Sequence, residues 1–218
     1  MTAPLDPAGF AALVPVSRET LARLEAYAGL LRQWSSRINL VGRDTLSDLW
    51  RRHILDSAQL LDLVPRGATS LVDLGSGAGL PGLVLAILGV PTVELVEADA
   101  RKCAFLREAA RITAAEVRVT NTRIEVAPPH TTDVVVARAV APLERLLPLA
   151  QRFIGPRTRC LFLKGERAQD ELTTASRDWT MTASLHPSRS DPRGVILCLE
   201  QAARRSGGGQ GHPEGGRA

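Results

Sequence analysis

Between about Pro15 and Trp34 the apolar residues Leu21, Leu24, Ala28 and Leu31 recur three and four positions apart, the repeat of one face of an amphipathic helix. A second helical stretch is predicted over about Leu46 to Leu63, with Ile38 to Gly42 as a short extended link. After Pro65 the period changes. Short apolar runs at Thr69 to Leu74, Thr92 to Ala98, Val117 to Thr122, Asp133 to Ala139 and Arg159 to Gly165 predict strands. Helical stretches at about Pro81 to Leu88, Ala100 to Ala114, Pro142 to Phe153 and Arg167 to Arg177 separate most of them. This alternation implies an α/β fold with a mostly parallel sheet covered on both faces. The last strands, about Met181 to His186 and Gly194 to Gln201, follow one another without a helix and are expected to form an antiparallel hairpin on one edge. The chain divides into an N-terminal helical extension (residues 1–64), an α/β domain (65–202) and a Gly/Arg-rich tail (203–218) expected to be disordered.

Composition narrows the class. With 218 residues, 44% hydrophobic and 23% charged, the chain is sized for one such domain with a helical addition. The longest strongly apolar stretch, Leu80 to Val90, is broken by Pro81, Gly82 and Gly89 and falls short of the roughly 20 residues that span a bilayer. No membrane partner is therefore expected. Met1 to Phe10 lacks the basic start and apolar run of a secretory signal, so the cytoplasm is the expected compartment. Cys103, Cys160 and Cys198 are widely spaced in apolar segments, which fits reduced core thiols; no metal is expected. A net charge of +4 permits a polyanionic partner, whereas 4% aromatic residues argue against a stacking platform for single strands.

The strongest motif runs from Leu71 to Gly82, LVDLGSGAGLPG: an apolar strand, a glycine turn and a helix. Gly77 to Gly82 matches G-x-G-x-x-G, the dinucleotide fingerprint that brings a pyrophosphate to a helix N-terminus. Asp73, Gly75 and Ser76, however, already interrupt the strand before Gly77. Counted from Asp73, the spacing D-x-G-x-G-x-G, through Gly75, Gly77 and Gly79, fits S-adenosyl-L-methionine better. That cofactor carries an ammonium and a sulfonium but no phosphate, so an acid at the strand end attracts it, directly or through water. The next strand ends at Val96-Glu97-Ala98-Asp99, where Glu97 is the candidate acceptor for ribose hydroxyls and Asp99 the candidate N-cap of the following helix. The fold class expected is therefore that of class I S-adenosylmethionine-dependent methyltransferases, Rossmann-like, with an antiparallel last strand.

Together with this loop, Arg52-His53-Ile54-Leu55-Asp56-Ser57, Thr122-Arg123-Ile124-Glu125 and Ala137-Arg138-Ala139 resemble the bacterial 16S ribosomal RNA guanine-N7 methyltransferase family, formerly the glucose-inhibited division protein B family. The resemblance runs from about Leu24 to Glu200. It implies a monomeric cytoplasmic enzyme that methylates N7 of one guanine in small-subunit (16S) ribosomal RNA, releasing S-adenosyl-L-homocysteine. It also implies cofactor contacts at Gly75, Leu80, Ile124, Glu125 and Arg138, with Ile124 as an apolar wall for adenine and Glu125 as a polar contact to its edge. Ser76 and Ala78 replace other small residues of the family's loop, and Ala137 stands where a serine is frequent. Without the resemblance, Ile124 reads as plain core packing.

His53, Asp56 and Ser57 have i, i+3, i+4 spacing on one helical face, and side chains pointing out in parallel cannot form a nucleophile, base and orienter chain. They are expected instead to dock the N-terminal helices on the catalytic domain, and the resemblance places them near the active-site mouth, where His53 can contact substrate. Arg123, Arg138 and Lys164 lie just beyond strand ends, at the ligand-binding edge of an open parallel sheet, and are candidates for RNA phosphates or guanine O6. No catalytic base is assigned, because N7 already carries an in-plane lone pair. Two other readings compete: an NAD-type oxidoreductase, and a noncatalytic RNA-binding or assembly factor on the same fold.

Overall fold

A computed structural model describes residues 3–205. Two N-terminal helices, α1 (Pro7–Leu13) and α2 (Arg18–Ser35), precede the sheet. Both start at side-chain caps: Asp6 Oδ1 accepts from Gly9 N–H at 2.7 Å, with Pro7 at the first helical position, and Ser17 Oγ accepts from Thr20 N–H at 3.0 Å. Helix α1 was not expected, since seven residues carry too little periodicity to register. The second predicted helical stretch is not one regular helix. It passes from a 3-10 turn (Arg43–Asp48) through a π-helical segment (Trp50–Leu55) and α3 (Asp56–Ala58) to another 3-10 turn (Gln59–Leu63).

The sheet comprises β1 (Leu71–Leu74), β2 (Val93–Glu97), β3 (Val117–Asn121), β4 (Val134–Arg138), β5 (Arg159–Lys164), β6 (Trp179–Pro187) and β7 (Val195–Arg204). Its order is β3-β2-β1-β4-β5-β7-β6, and β7 runs antiparallel to both β5 and β6. Helices α4 (Gly82–Ile87), α5 (Ala100–Thr113), α6 (Leu143–Ala150) and α7 (Ala168–Ala175) connect the strands. The chain steps from β1 outward to β3, then returns to β4 on the other side of β1. Its crevice therefore opens at the carboxyl ends of β1 and β4, the switch point where such sheets bind ligands. Strand β7 extends past the expected end of the domain. Ala203 pairs with Thr180 and Arg204 with Trp179, so the expected tail does not begin at Ala203; residues 206–218 lie outside the described residues.

Two apolar layers flank the sheet. One combines α2, α4 and α5 with the N-terminal segments, and the other is built on α6 with Phe153, Phe162 and Trp179. In the first, Phe105 of α5 is fully buried between Tyr27 and Trp34 of α2, with ring centroids 6.4 and 5.7 Å away. Phe105→Ala is expected to cost about 3–5 kcal/mol, because a closely packed layer cannot collapse on the void. A urea unfolding midpoint unchanged from wild type would show that α2 does not depend on this contact.

Candidate cofactor and substrate cleft

The glycine turn after β1 is set by backbone geometry: Gly75, Gly77 and Gly79 have φ of +65, +56 and +83°. At Gly77 a Cβ would meet only the Gly75 carbonyl, at 3.8 Å, so the missing side chain leaves open space on the cleft side. Gly77 N–H donates to Glu97 Oε2 and Asp99 N–H to Glu97 Oε1, both at 2.8 Å. Glu97 is thus held rigidly beside the loop, and each oxygen keeps a second lone pair for a ribose hydroxyl. Asp99 is the N-cap of α5, accepting from Arg101 and Lys102 N–H groups, as expected.

Asp73 lies beneath the loop, fully buried. Its Oδ2 accepts from Gly82 N–H at 2.9 Å, an approach that requires glycine, because a Cβ at Gly82 would stand 2.6 Å from the Asp73 Cβ. Asp73 Oδ1 is buried without a hydrogen-bond partner among the described residues. Burial pushes the carboxyl from 3.8 up to about 7, against the lowering effects of the Gly82 bond, of the nearby Ser76 hydroxyl, which itself bonds the Asp73 backbone carbonyl, and of Arg138. A buried oxygen left over in this way has room for a donor from outside the chain, a water or a ligand.

A cleft of about 1050 Å³ opens at this edge, lined by the glycine loop with Leu80, by Arg138 to Pro142 after β4, by Lys164, by Thr45 and His53, and by the β6–β7 loop. Arg138 joins two of these walls, its own after β4 and the segment that carries His53. Its Nη1 donates to His53 Nδ1 at 3.0 Å, to the Arg52 carbonyl at 3.3 Å and to Asp56 Oδ2 at 3.4 Å. On its other side, His53 Nε2 lies 2.7 Å from Thr45 Oγ1, whose hydroxyl donates to the Gly42 carbonyl. Burial, together with Arg138 and Arg52, lowers the His53 pKa from 6.5 to about 3. Asp56 Oδ1 accepts from Ser190 Oγ at 2.5 Å, and Arg52 pairs with Asp191 at the same distance. Ser57 turns inward, its hydroxyl on the His53 carbonyl at 2.8 Å. The three residues share no outward face and form no triad; His53 and Asp56 tie the N-terminal segment to β4, and Asp56 ties it to the β6–β7 loop, whereas Ser57 bonds only within its own segment.

The other sequence candidates separate. Lys164 is largely buried, its Nζ 2.8 Å from Glu171 Oε2 and 2.7 Å from the Ala141 carbonyl, so it braces the loop after β4 while lining the cleft. Ile124, in a 3-10 turn after β3, approaches Gly75, its Cδ1 3.9 Å from the site of a Gly75 Cβ, and also packs on the core. Arg123 and Glu125 are exposed; they stand outside the lining of the cleft, as do Asp73, Glu97 and Ile124, which lie beneath or beside the glycine loop, and Gly79 within it. Tyr27, which no sequence motif singles out, donates its buried hydroxyl to the Ala78 carbonyl at 2.8 Å and so fastens α2 to the glycine loop. Its only signals were its place on the apolar face and its being the chain's single tyrosine. No group of three or more metal-ligating side chains occurs among the described residues.

Sheet order and the glycine turn define the class: a class I S-adenosylmethionine-dependent methyltransferase fold. It is similar to a TehB-like SAM-dependent methyltransferase from Corynebacterium glutamicum, with a TM-score of 0.53 and 18% identity over 83% of this chain and 98% of that one. It is also similar to a mutant of MtNAS in complex with S-adenosylmethionine, with a TM-score of 0.57 and 16% identity over 90% and 84% of the two chains. The chain belongs to the rRNA small subunit methyltransferase G (GidB) family, whose profile matches residues 20–190. The ribosomal RNA small subunit methyltransferase G of Paramagnetospirillum magneticum is 58% identical over 189 residues, 87% of this chain and 92% of that protein. The family expected from the four sequence segments is the one found, and neither competing reading is favoured.

Proposed function

We propose that this protein transfers the methyl group of S-adenosyl-L-methionine to N7 of a guanine in small-subunit ribosomal RNA, working as a cytoplasmic monomer. The observation that carries the reading is the open cradle at Gly77, on a cleft whose imidazole, His53, is engaged on both nitrogens, with a buried, unpartnered Asp73 Oδ1 directly beneath the glycine loop. The carboxylate and the cradle suit an amino-acid ammonium with an adenosine beside it. Asp73 would take the ammonium, Glu97 the ribose hydroxyls and Ile124 one face of adenine. When bound, the cofactor supplies an electrophilic methyl on a sulfonium. A guanine N7 lone pair needs no proton removed before it attacks, so the engaged His53 is no obstacle. The chain's contribution is to orient the partners and exclude water. Among the described residues Arg138 makes its hydrogen bonds through Nη1, which leaves its Nε–H and second amino group for guanine O6 or the cofactor carboxylate.

Mapping of methylated nucleosides in small-subunit RNA from cells with and without the gene tests the assignment; unchanged N7-methylguanosine would reject it. At saturating substrates the single-turnover rate is expected to stay flat from about pH 6 to 8, since His53 remains neutral throughout that window. A rise with an apparent pKa near 6.5, removed by a His53 substitution, would instead make His53 a base and overturn this mechanism.

A further inference from the structure

We infer that His53 is a positioning residue for Arg138, acting as a neutral hydrogen-bond acceptor that aims the guanidinium into the cleft. The inference rests on the proposed function only for its kinetic readout. The hydrogen-bond chain assigns the tautomer. Thr45 has one hydroxyl hydrogen, given to the Gly42 carbonyl at 2.6 Å, so the 2.7 Å contact to His53 requires Nε2 to carry the imidazole hydrogen. Nδ1 is then a bare acceptor, and Arg138 Nη1 fills it at 3.0 Å. A second hydrogen on the ring would point Nδ1–H at a guanidinium. The charged groups facing the ring reinforce this, since Arg138 and Arg52 both oppose protonation.

Arg138 sits at the end of β4 with its side chain 19% exposed and lines the cleft. Three acceptors, His53 Nδ1, the Arg52 carbonyl and Asp56 Oδ2, converge on the same nitrogen, Nη1. Gathering them there pins one corner of a planar, forked cation, and planarity then fixes where its remaining N–H groups point. Asp56 is itself held by Ser190 and Gln59, so the anchor is rigid on the far side as well. The Arg-His-Ile-Leu-Asp-Ser segment thereby supplies all three acceptors, from Arg52, His53 and Asp56, so that besides bonding the β6–β7 loop it holds this guanidinium.

A double-mutant cycle tests the assignment. Single-turnover methylation of small ribosomal subunits lacking the modification is compared for wild type, His53→Leu, His53→Asn, Arg138→Ala and the His53→Leu/Arg138→Ala pair. His53→Leu is expected to slow the reaction about 10- to 100-fold, the scale of a small misplacement of a positioned group. His53→Asn, whose side-chain oxygen can accept at the Nδ1 position, should recover most of that loss. In the Arg138→Ala background His53→Leu should have no further effect. Independent losses that multiply, or an Asn variant no better than Leu, would overturn the inference. Should His53→Leu fail to fold, Thr45→Val, which deletes the partner of Nε2–H, closes the same cycle with a smaller loss. Nitrogen NMR of the His53 ring gives a readout that needs no turnover. A neutral, Nε2-protonated ring down to pH 5 in wild type, titrating at higher pH in Arg138→Ala, supports the pairing; an ordinary titration near 6.5 in both overturns it. Absence of methyl transfer by the wild-type protein would count against the proposed function alone.

Discussion

Gly77→Val is expected to weaken S-adenosylmethionine binding by at least about a hundredfold while the sheet stays folded. The backbone at Gly77 has φ +56°, a left-handed conformation that penalises a β-branched residue by roughly 1–2 kcal/mol. Among the described residues a Cβ there meets only the Gly75 carbonyl, at 3.8 Å. The branches of the new side chain would therefore stand in the cleft, in the space assigned to the cofactor, and any backbone adjustment would pull the N–H away from Glu97. Calorimetry on a variant with native circular dichroism measures the effect. Unchanged affinity would remove the glycine turn from the cofactor site.

Asp73→Asn is expected to lower affinity for S-adenosylmethionine about a hundredfold at pH 8 while stabilising the free protein at that pH. Asparagine keeps an oxygen for Gly82 N–H, so the turn survives, but it deletes the charge that would meet the ammonium. The stability effect follows from the raised pKa of about 7 against an ordinary 3.8. A raised folded-state pKa means that the native protein binds the proton more tightly than the unfolded chain. Its favourable contribution is complete below 3.8 and is lost as pH rises through about 7. Above that, wild type carries an ionised, buried and half-satisfied carboxylate, and the Asn variant does not. The melting temperature of Asp73→Asn relative to wild type should thus increase between pH 5.5 and 8.5. Cofactor binding has the opposite dependence: the ammonium selects the ionised carboxylate, so wild-type affinity should rise about tenfold from pH 6 to 8, and the Asn variant should show no such rise. A wild-type affinity independent of pH would separate Asp73 from the ammonium.

The strand and helix pattern and the glycine turn were legible in the sequence because they are local. Buried strands such as Leu71 to Leu74 announce themselves by continuous apolar runs, and Asp73 with Gly75, Gly77 and Gly79 falls within seven consecutive residues, so the spacing itself carries the geometry. The cap at Asp99 was readable for the same reason. Helix α1 was missed although its Asp6-Pro7 start signal is present, since one buried residue, Phe10, makes no repeat. The roles of the polar side chains around the cleft depended on the tertiary fold. Lys164 and Arg138 look alike in sequence, each a cation at a strand end; Glu171 and the Ala141 carbonyl immobilise one, whereas His53 and Asp56 aim the other. Asp56 meets Ser190 across 134 residues, and Tyr27 reaches Ala78 across 51. Periodicity and spacing report only which face of an element is apolar and which turns are tight. Which donor meets which acceptor is settled when the sheet brings distant segments to one edge, because a buried polar group must find its partner wherever the chain places one.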